Sequence, residues 1–107
     1  ANVIDYATRL VRATRPGTPD IAPGVANWIR WGASPRASQN LILAGRARAA
    51  CTGRFNVACE DIEAVAPMVL RHRILRSFQA DAEQKTTDDI IQQLIAEIPK
   101  NAPKSKR

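Results

Sequence analysis

The chain has 107 residues, which is enough for one compact domain and too few for two domains with separate hydrophobic cores. Hydrophobic residues make up 45 % of the chain and aromatic residues only 5 %, a balance that favours closely packed helices over a β-sandwich. Its 16 lysines and arginines against 10 acidic residues give a net charge of +6, which favours an anionic partner without identifying it.

The first two predicted elements are amphipathic helices. Apolar and small side chains recur at helical spacing over residues 3–14, and two prolines and a glycine in residues 15–19 end that helix. A second, short helix is predicted up to Trp31, with Trp28 and Trp31 on one face and Gly32 as its left-handed C-cap. We expect both tryptophans to anchor the core rather than to stack on nucleic-acid bases.

The third predicted helix is the longest and should be central. Ser34 is a preferred N-cap and Pro35 a preferred first helical residue, and the segment that they open runs for about five turns. The residues that follow, 54–57, are too few and too β-favouring to continue the helix. We expect them to form a brief extended connector that buries Phe55 and Val57.

Two further helices complete the expected fold. The fourth opens at Glu60 and Asp61, whose charges suit a first turn, and should kink or restart at Pro67. Residues 70–78 fit a strand and a helix equally, so the pattern leaves them open. A last amphipathic helix is capped by Thr86 and its neighbours and ends at Pro99. The sequence thus predicts an all-α fold, a small bundle of about four to five helices over residues 1–98, followed by a basic, disordered tail at 99–107.

Chemistry is harder to find in this sequence. No glycine-rich phosphate loop ending in Lys-Ser or Lys-Thr and no nucleophile elbow is present, so we expect no catalysis by this chain alone. Two cysteines and one histidine form no metal-ligand pattern, and we expect Cys51 and Cys59 to be buried or half-buried thiols in a reducing cytosol. No stretch approaches the roughly 18 apolar residues of a membrane helix, which predicts a soluble, cytoplasmic protein.

Arg36 is the residue that calls for a functional explanation. It lies in the predicted first turn of the third helix, where the positive end of the helix dipole disfavours a cation unless an anion lies beyond it. Helical side chains lean toward the N-terminus, so Arg36 should project past its own helix start. A phosphate sensor and a solvated arginine paired with a nearby carboxylate both fit this geometry.

Four segments, in this order and spacing, resemble the C-terminal lid of the MoxR family of AAA+ ATPases. They are residues 9–17 (Arg-Leu-Val-Arg-Ala-Thr-Arg-Pro-Gly), 31–37 (Trp-Gly-Ala-Ser-Pro-Arg-Ala), 61–67 (Asp-Ile-Glu-Ala-Val-Ala-Pro) and 69–74 (Val-Leu-Arg-His-Arg-Ile). The resemblance covers about residues 3–98. It implies that Arg36 is the sensor-2 arginine, the residue that reaches the phosphates of ATP in that family.

The resemblance also implies what surrounds such a lid. ATP and Mg²⁺ would be cofactors of the intact protein, with none bound tightly to this chain alone. Expected partners are the AAA+ core of the same protein, neighbouring subunits of a ring, and client proteins with von Willebrand A domains. The alternative is a basic helical module that binds nucleic acid or protein, but no recognition helix or stacking motif supports nucleic acid as a partner.

Overall fold

The computed structural model describes residues 3–19 and 21–98, and it is mostly helical, as predicted. In these residues five helices and two very short strands follow one another. They are α1 (Val3–Arg12), β1 (Ile29–Trp31), α2 (Arg36–Cys51), α3 (Cys59–Leu70), β2 (Leu75–Arg76), α4 (Phe78–Ala82) and α5 (Thr87–Glu97).

Helices α1, α2 and α3 all pack on one another, and α5 packs on α3. Apart from Tyr6 and Cys59, the buried hydrophobic side chains of the core are aliphatic. Its largest fully buried apolar side chains are Tyr6, Leu10, Leu41, Ile62, Leu70, Ile90, Ile91 and Leu94. Burial of each such side chain contributes roughly 1.5–3 kcal/mol relative to exposure, so this cluster dominates the stability of the bundle.

Helix α1 buries one face, on which Tyr6 and Leu10 are completely inaccessible. The hydroxyl of Tyr6 donates to Glu63 Oε2 on α3 at 3.2 Å. Burial and then the neighbouring Glu63 carboxylate raise the pKa of Tyr6, so the hydroxyl remains a donor at neutral pH. The helix ends at Arg12, two residues before the predicted end, and the chain then turns.

The predicted second helix is wrong. The chain turns after Gly24 and forms β1, which pairs antiparallel with β2, with Ile29 opposite Arg76. Trp31 is 64 % exposed and is no core anchor, whereas Trp28 is half-buried, and its Nε1 donates to Glu83 Oε1 at 3.0 Å. The helical spacing of the apolar residues at 25, 28, 29 and 31 was misleading. A strand of three residues, such as β1, is too short for its pattern to distinguish the period of a strand from that of a helix.

The segment between α2 and α3 also differs in part from the prediction. Residues 54–57 form an irregular loop, in which Val57 is half-buried but Phe55 is fully exposed. Cys59 is buried as expected, whereas Cys51, at the end of α2, is exposed. Helix α3 continues through Pro67 to Leu70 rather than restarting there.

Residues 70–78, for which the sequence pattern left strand and helix both possible, form the end of α3, a turn, β2 and the start of α4. Ser77 caps α4 by accepting from the Ala80 amide at 3.2 Å. The N-cap of α5 is confirmed, because Thr86 Oγ1 accepts from the Asp89 amide at 3.1 Å while Asp89 accepts from the Thr86 amide at 2.9 Å. Pro99 and the predicted tail lie outside the described residues.

Candidate functional site

Arg36 is the first residue of α2 and is exposed. Pro35 before it already has helical backbone angles, and no acidic residue occupies the first turn. Across residues 3–19 and 21–98, no carboxylate pairs with Arg36 and no acceptor takes a hydrogen bond from it. The carboxylate-paired alternative that the sequence left open therefore finds no support in the described part of the chain.

The loop that precedes Arg36 is fixed to the end of α1 by a buried threonine. Thr14 is fully buried, and its Oγ1 accepts from the Ala33 amide at 3.0 Å while donating to the Val11 carbonyl at 2.6 Å. Ala33 and Ala37, on either side of Arg36, are buried as well. The backbone that carries Arg36 is therefore held from both sides.

Gly32 also helps to fix this loop against the end of α1, and its role differs from the predicted C-cap. A β-carbon at Gly32 would lie 2.1 Å from the Thr14 carbonyl oxygen and 2.9 Å from Arg15 Cα, so only glycine fits there. The requirement is close approach of two backbone segments rather than a left-handed conformation. It brings Arg15 next to the segment that leads into Arg36.

The first-turn amides of α2 contribute less to an anion site than the sequence suggested. The Ala37 amide donates to the Ser34 carbonyl at 2.9 Å, and the Ser38 amide donates to the Pro35 carbonyl at 3.2 Å. These two donors are already engaged within the chain. The guanidinium of Arg36 is therefore the principal group at this helix end that can bind an anion.

The sequence analysis missed a cluster of two arginines around Asp61 in α3. Asp61 is fully buried and accepts from Arg48 Nη1 at 2.6 Å, from Arg54 Nη1 at 2.9 Å and from the Ala58 amide at 2.8 Å. Arg54 Nη2 also donates to Asp61. The carboxylate thus joins the end of α2, the following loop and the start of α3.

Hydrogen bonds from Arg54, together with the Ala58 amide and Arg48, hold the pKa of Asp61 well below its usual range. The sequence contained a signal for this burial. Asp61, Val65 and Val69 recur every four residues and so share the apolar face of α3. Asp61 also occupies the third helical position, from which an acidic side chain reaches back to its own N-cap amide.

Residues 3–19 and 21–98 contain neither a candidate metal site nor a candidate membrane-spanning helix. No group of three or more His, Cys, Asp or Glu side chains there could hold a metal ion. No helix in that part of the chain is both long and apolar enough to cross a membrane.

Comparison with known proteins identifies the domain. Residues 22–94 match the profile of the AAA lid domain family. The chain is 35 % identical over 96 residues to the chaperone MoxR1 of Mycobacterium tuberculosis, with 90 % of this chain and 26 % of that protein covered. It is 36 % identical over 89 residues to protein MoxR of Methylorubrum extorquens, covering 79 % of this chain and 26 % of that relative.

A solved structure agrees with these sequence matches. A crystal structure of a candidate ATPase from Cytophaga hutchinsonii superimposes with a TM-score of 0.80 at 35 % identity, covering 90 % of this chain and 29 % of that one. The chain spans about a quarter of the length of its curated relatives. The resemblance seen in the sequence is confirmed, and the chain belongs to the AAA lid domain family, as the lid of a MoxR-type AAA+ ATPase.

Proposed function

We propose that this lid contributes Arg36 to the nucleotide site of its ATPase, as a sensor-2 arginine that binds the β- or γ-phosphate of ATP. The observation that carries the proposal is the state of Arg36: an exposed guanidinium without an acidic partner in the described residues, on a backbone locked by Thr14 and Ala33. A cation held this way is available for an anion supplied from outside the domain.

The residues of this domain would supply only part of an ATP site. A guanidinium offers a planar pair of donors that matches two phosphate oxygens, which an ammonium group does not. Because the described residues include no cluster of metal-ligating side chains, Mg²⁺ would be held by other groups in the intact protein. Bound ATP would supply the phosphate whose loss on hydrolysis distinguishes the two nucleotide states.

The same contact gives the lid a way to respond to nucleotide state. Arg36 would pair with phosphate oxygens in one state and lose part of that pairing in the other, a difference of roughly 1–3 kcal/mol. Because α2 carries Arg36 and packs on both α1 and α3, a shift at its first turn would move the bundle as one unit. We propose that this movement, relative to the AAA+ core and neighbouring ring subunits, drives chaperone-like remodelling of partner proteins, including partners with von Willebrand A domains.

The test is substitution of Arg36 in the full-length ATPase that contains this lid. Arg36→Ala should lower ATP turnover and weaken nucleotide-dependent assembly, and Arg36→Lys should restore little because lysine lacks the planar fork. Arg46→Ala is the matched control. Arg46 is also exposed on α2, without a described partner, and lies about 15 Å further along the helix axis. Turnover and assembly that are both unchanged in Arg36→Ala would refute the sensor role.

The net charge of +6 keeps one rival reading worth testing, a domain that binds nucleic acid. Titration of the chain with duplex and single-stranded DNA at several salt concentrations separates the two. The lid assignment predicts only weak binding at physiological ionic strength, whereas micromolar affinity with a steep salt dependence would favour the rival.

A further inference from the structure

A groove runs beside Arg36 between the end of α1 and the start of α2. It has a volume of about 170 Å³ and is lined by Thr8, Val11, Arg12, Arg15, Pro35 and Ser38. Arg36 is bracketed in the chain by two of these lining residues, Pro35 and Ser38. The groove therefore adjoins the first turn of α2, while the side chain of Arg36 is not part of its lining.

The two arginines in the groove, one at the end of α1 and one just after it, differ from Arg9 because they have no acidic partner within residues 3–19 and 21–98. Arg9, one turn earlier, is neutralised by Asp5, whose Oδ2 lies 2.9 Å from Arg9 Nε. Arg12 and Arg15 are exposed and have neither a carboxylate nor a hydrogen-bond acceptor among the described residues. The described residues that line the groove include no acidic side chain. Arg12 and Arg15 therefore bring two unpaired guanidiniums to a groove that adjoins the first turn of α2, the turn that carries Arg36.

The other polar side chains of the groove are already engaged. Thr8 Oγ1 donates to the Ile4 carbonyl at 2.9 Å, and Ser38 Oγ donates to the Pro35 carbonyl at 2.9 Å. The free donors in the groove are thus its arginines. Because guanidinium groups donate and never accept hydrogen bonds, the groove selects for an anionic acceptor.

The backbone beneath these side chains is well fixed. The close approach of Gly32 to Thr14 and Arg15 leaves no room for even one methyl group between the segments. The Arg15 amide donates to the Arg12 carbonyl at 3.1 Å, and the Arg15 carbonyl accepts from Thr18 Oγ1 at 2.9 Å. Arg15 and Arg36 are thereby held in a fixed backbone relationship.

We propose that Arg12 and Arg15 are additional phosphate-binding residues, which form a two-arginine groove at the first turn of α2, beside Arg36, for the polyphosphate chain of a nucleoside triphosphate. This inference rests on the proposed function, since it takes the ligand of Arg36 to be a nucleotide. The groove is smaller than the roughly 300 Å³ at which typical ligand pockets begin, so it accommodates phosphate groups and leaves the base and sugar outside it.

The test is titration of the 107-residue chain with sodium tripolyphosphate, followed by amide chemical shifts in NMR spectra. The variants are Arg12→Ala, Arg15→Ala, Arg36→Ala and the control Arg46→Ala. Each variant removes one positive charge, so all four lower the net charge equally. Thermal denaturation of each variant verifies that the fold is intact, which we expect because exposed arginines contribute little to stability.

We expect Arg12→Ala and Arg15→Ala each to weaken tripolyphosphate binding about three- to tenfold, and Arg46→Ala to change it less than twofold. The amides shifted in the wild type should cluster at residues 12–18 and 33–38. Binding should also weaken as salt rises from low to physiological concentration.

The outcomes separate the inference from the proposed function. If Arg12→Ala and Arg15→Ala behave like Arg46→Ala while Arg36→Ala weakens binding, the groove is refuted and the sensor role survives. If the groove variants weaken binding and Arg36→Ala does not, the groove survives without the sensor. Equal weakening in all four variants would mean general charge attraction and would overturn the groove.

Discussion

Arg48 and Arg54 converge on the buried carboxylate of Asp61, whereas Arg12 and Arg36 face no carboxylate in residues 3–19 and 21–98. The two clusters use one residue type and lie at opposite ends of α2. In the first, both partners are supplied by this chain, so the arginines hold the fold together. In the second, the described residues supply no acidic partner, so the arginines are available for the anion that we propose.

Net charge is therefore a poor guide to where a basic domain binds. The paired arginines contribute to the +6 charge, yet their donors are already used. What separates the clusters is a single buried acid on the apolar face of α3. Removing that acid should damage the fold, and removing an unpaired arginine should damage only binding.

The largest effect is expected for Asp61→Asn. The change leaves a neutral amide at a fully buried position, where it cannot replace the charged acceptor of Arg48, Arg54 and the Ala58 amide, although the two arginine side chains are themselves 42 % exposed. We expect Tm to fall by more than about 10 °C in thermal denaturation followed by circular dichroism. The control is Asp88→Asn, since Asp88 pairs with Arg71 at 2.9 Å but is exposed. Equal shifts in the two variants would contradict the structural role of Asp61.

Acid should remove the same contribution by protonation. The pKa of Asp61 is lowered in the folded state, so its contribution is fully present above the unfolded value of about 3.9 and is lost as pH falls toward the folded value. The difference in Tm between the wild type and Asp61→Asn should therefore shrink from pH 6 to pH 3. A difference that stays constant over this range would show that the carboxylate charge is not what stabilises the cluster.

A smaller loss of stability is expected from substitution of Thr14, which fixes the loop that precedes Arg36. Thr14→Val keeps the shape of the side chain but removes the acceptor of the Ala33 amide, at a cost of about 1–3 kcal/mol in the free energy of unfolding. Thr14→Ser, which retains the hydroxyl, should lose less. Urea denaturation measures both variants. Equal losses would mean that the hydrogen bond, which Thr14→Val removes, contributes no more to stability than the methyl group, which Thr14→Ser removes.

Much of the bundle was predictable because its information is local. The start of α2 lies within two residues of the Ser34 and Pro35 boundary, and the N-cap of α5 is where Thr86 placed it. Both predictions used local signals within a few turns, although only α5 has its side-chain cap, since Pro35 is the N-cap of α2 and no side chain caps that helix. The β1–β2 ribbon was not predictable, because each strand is too short to carry a period and its partner is distant in the chain.

The candidate site was predictable only in part. Arg36 was singled out because an arginine in a first turn is anomalous, whereas its role as a phosphate sensor came only from the resemblance to the MoxR lid and stays a prediction. Arg12 and Arg15 looked like ordinary helix-surface residues, since the groove that joins them to α2 depends on how two helices pack. Likewise, Asp61 looked like any first-turn acid until its position on the apolar face of α3 was considered.

The most direct test of the central claim, that Arg36 binds nucleotide while Arg48 and Arg54 serve the fold, is the rise in Tm that ATP causes in the full-length ATPase. A ligand stabilises a protein according to its affinity, so the ATP-induced rise reports binding directly. If Arg36 binds nucleotide, the ATP-induced rise in Tm should be smaller in Arg36→Ala than in the wild type or in Arg46→Ala, and the Tm of all three should be the same in the absence of ATP. An ATP-induced rise in Arg36→Ala equal to that of Arg46→Ala would contradict the claim.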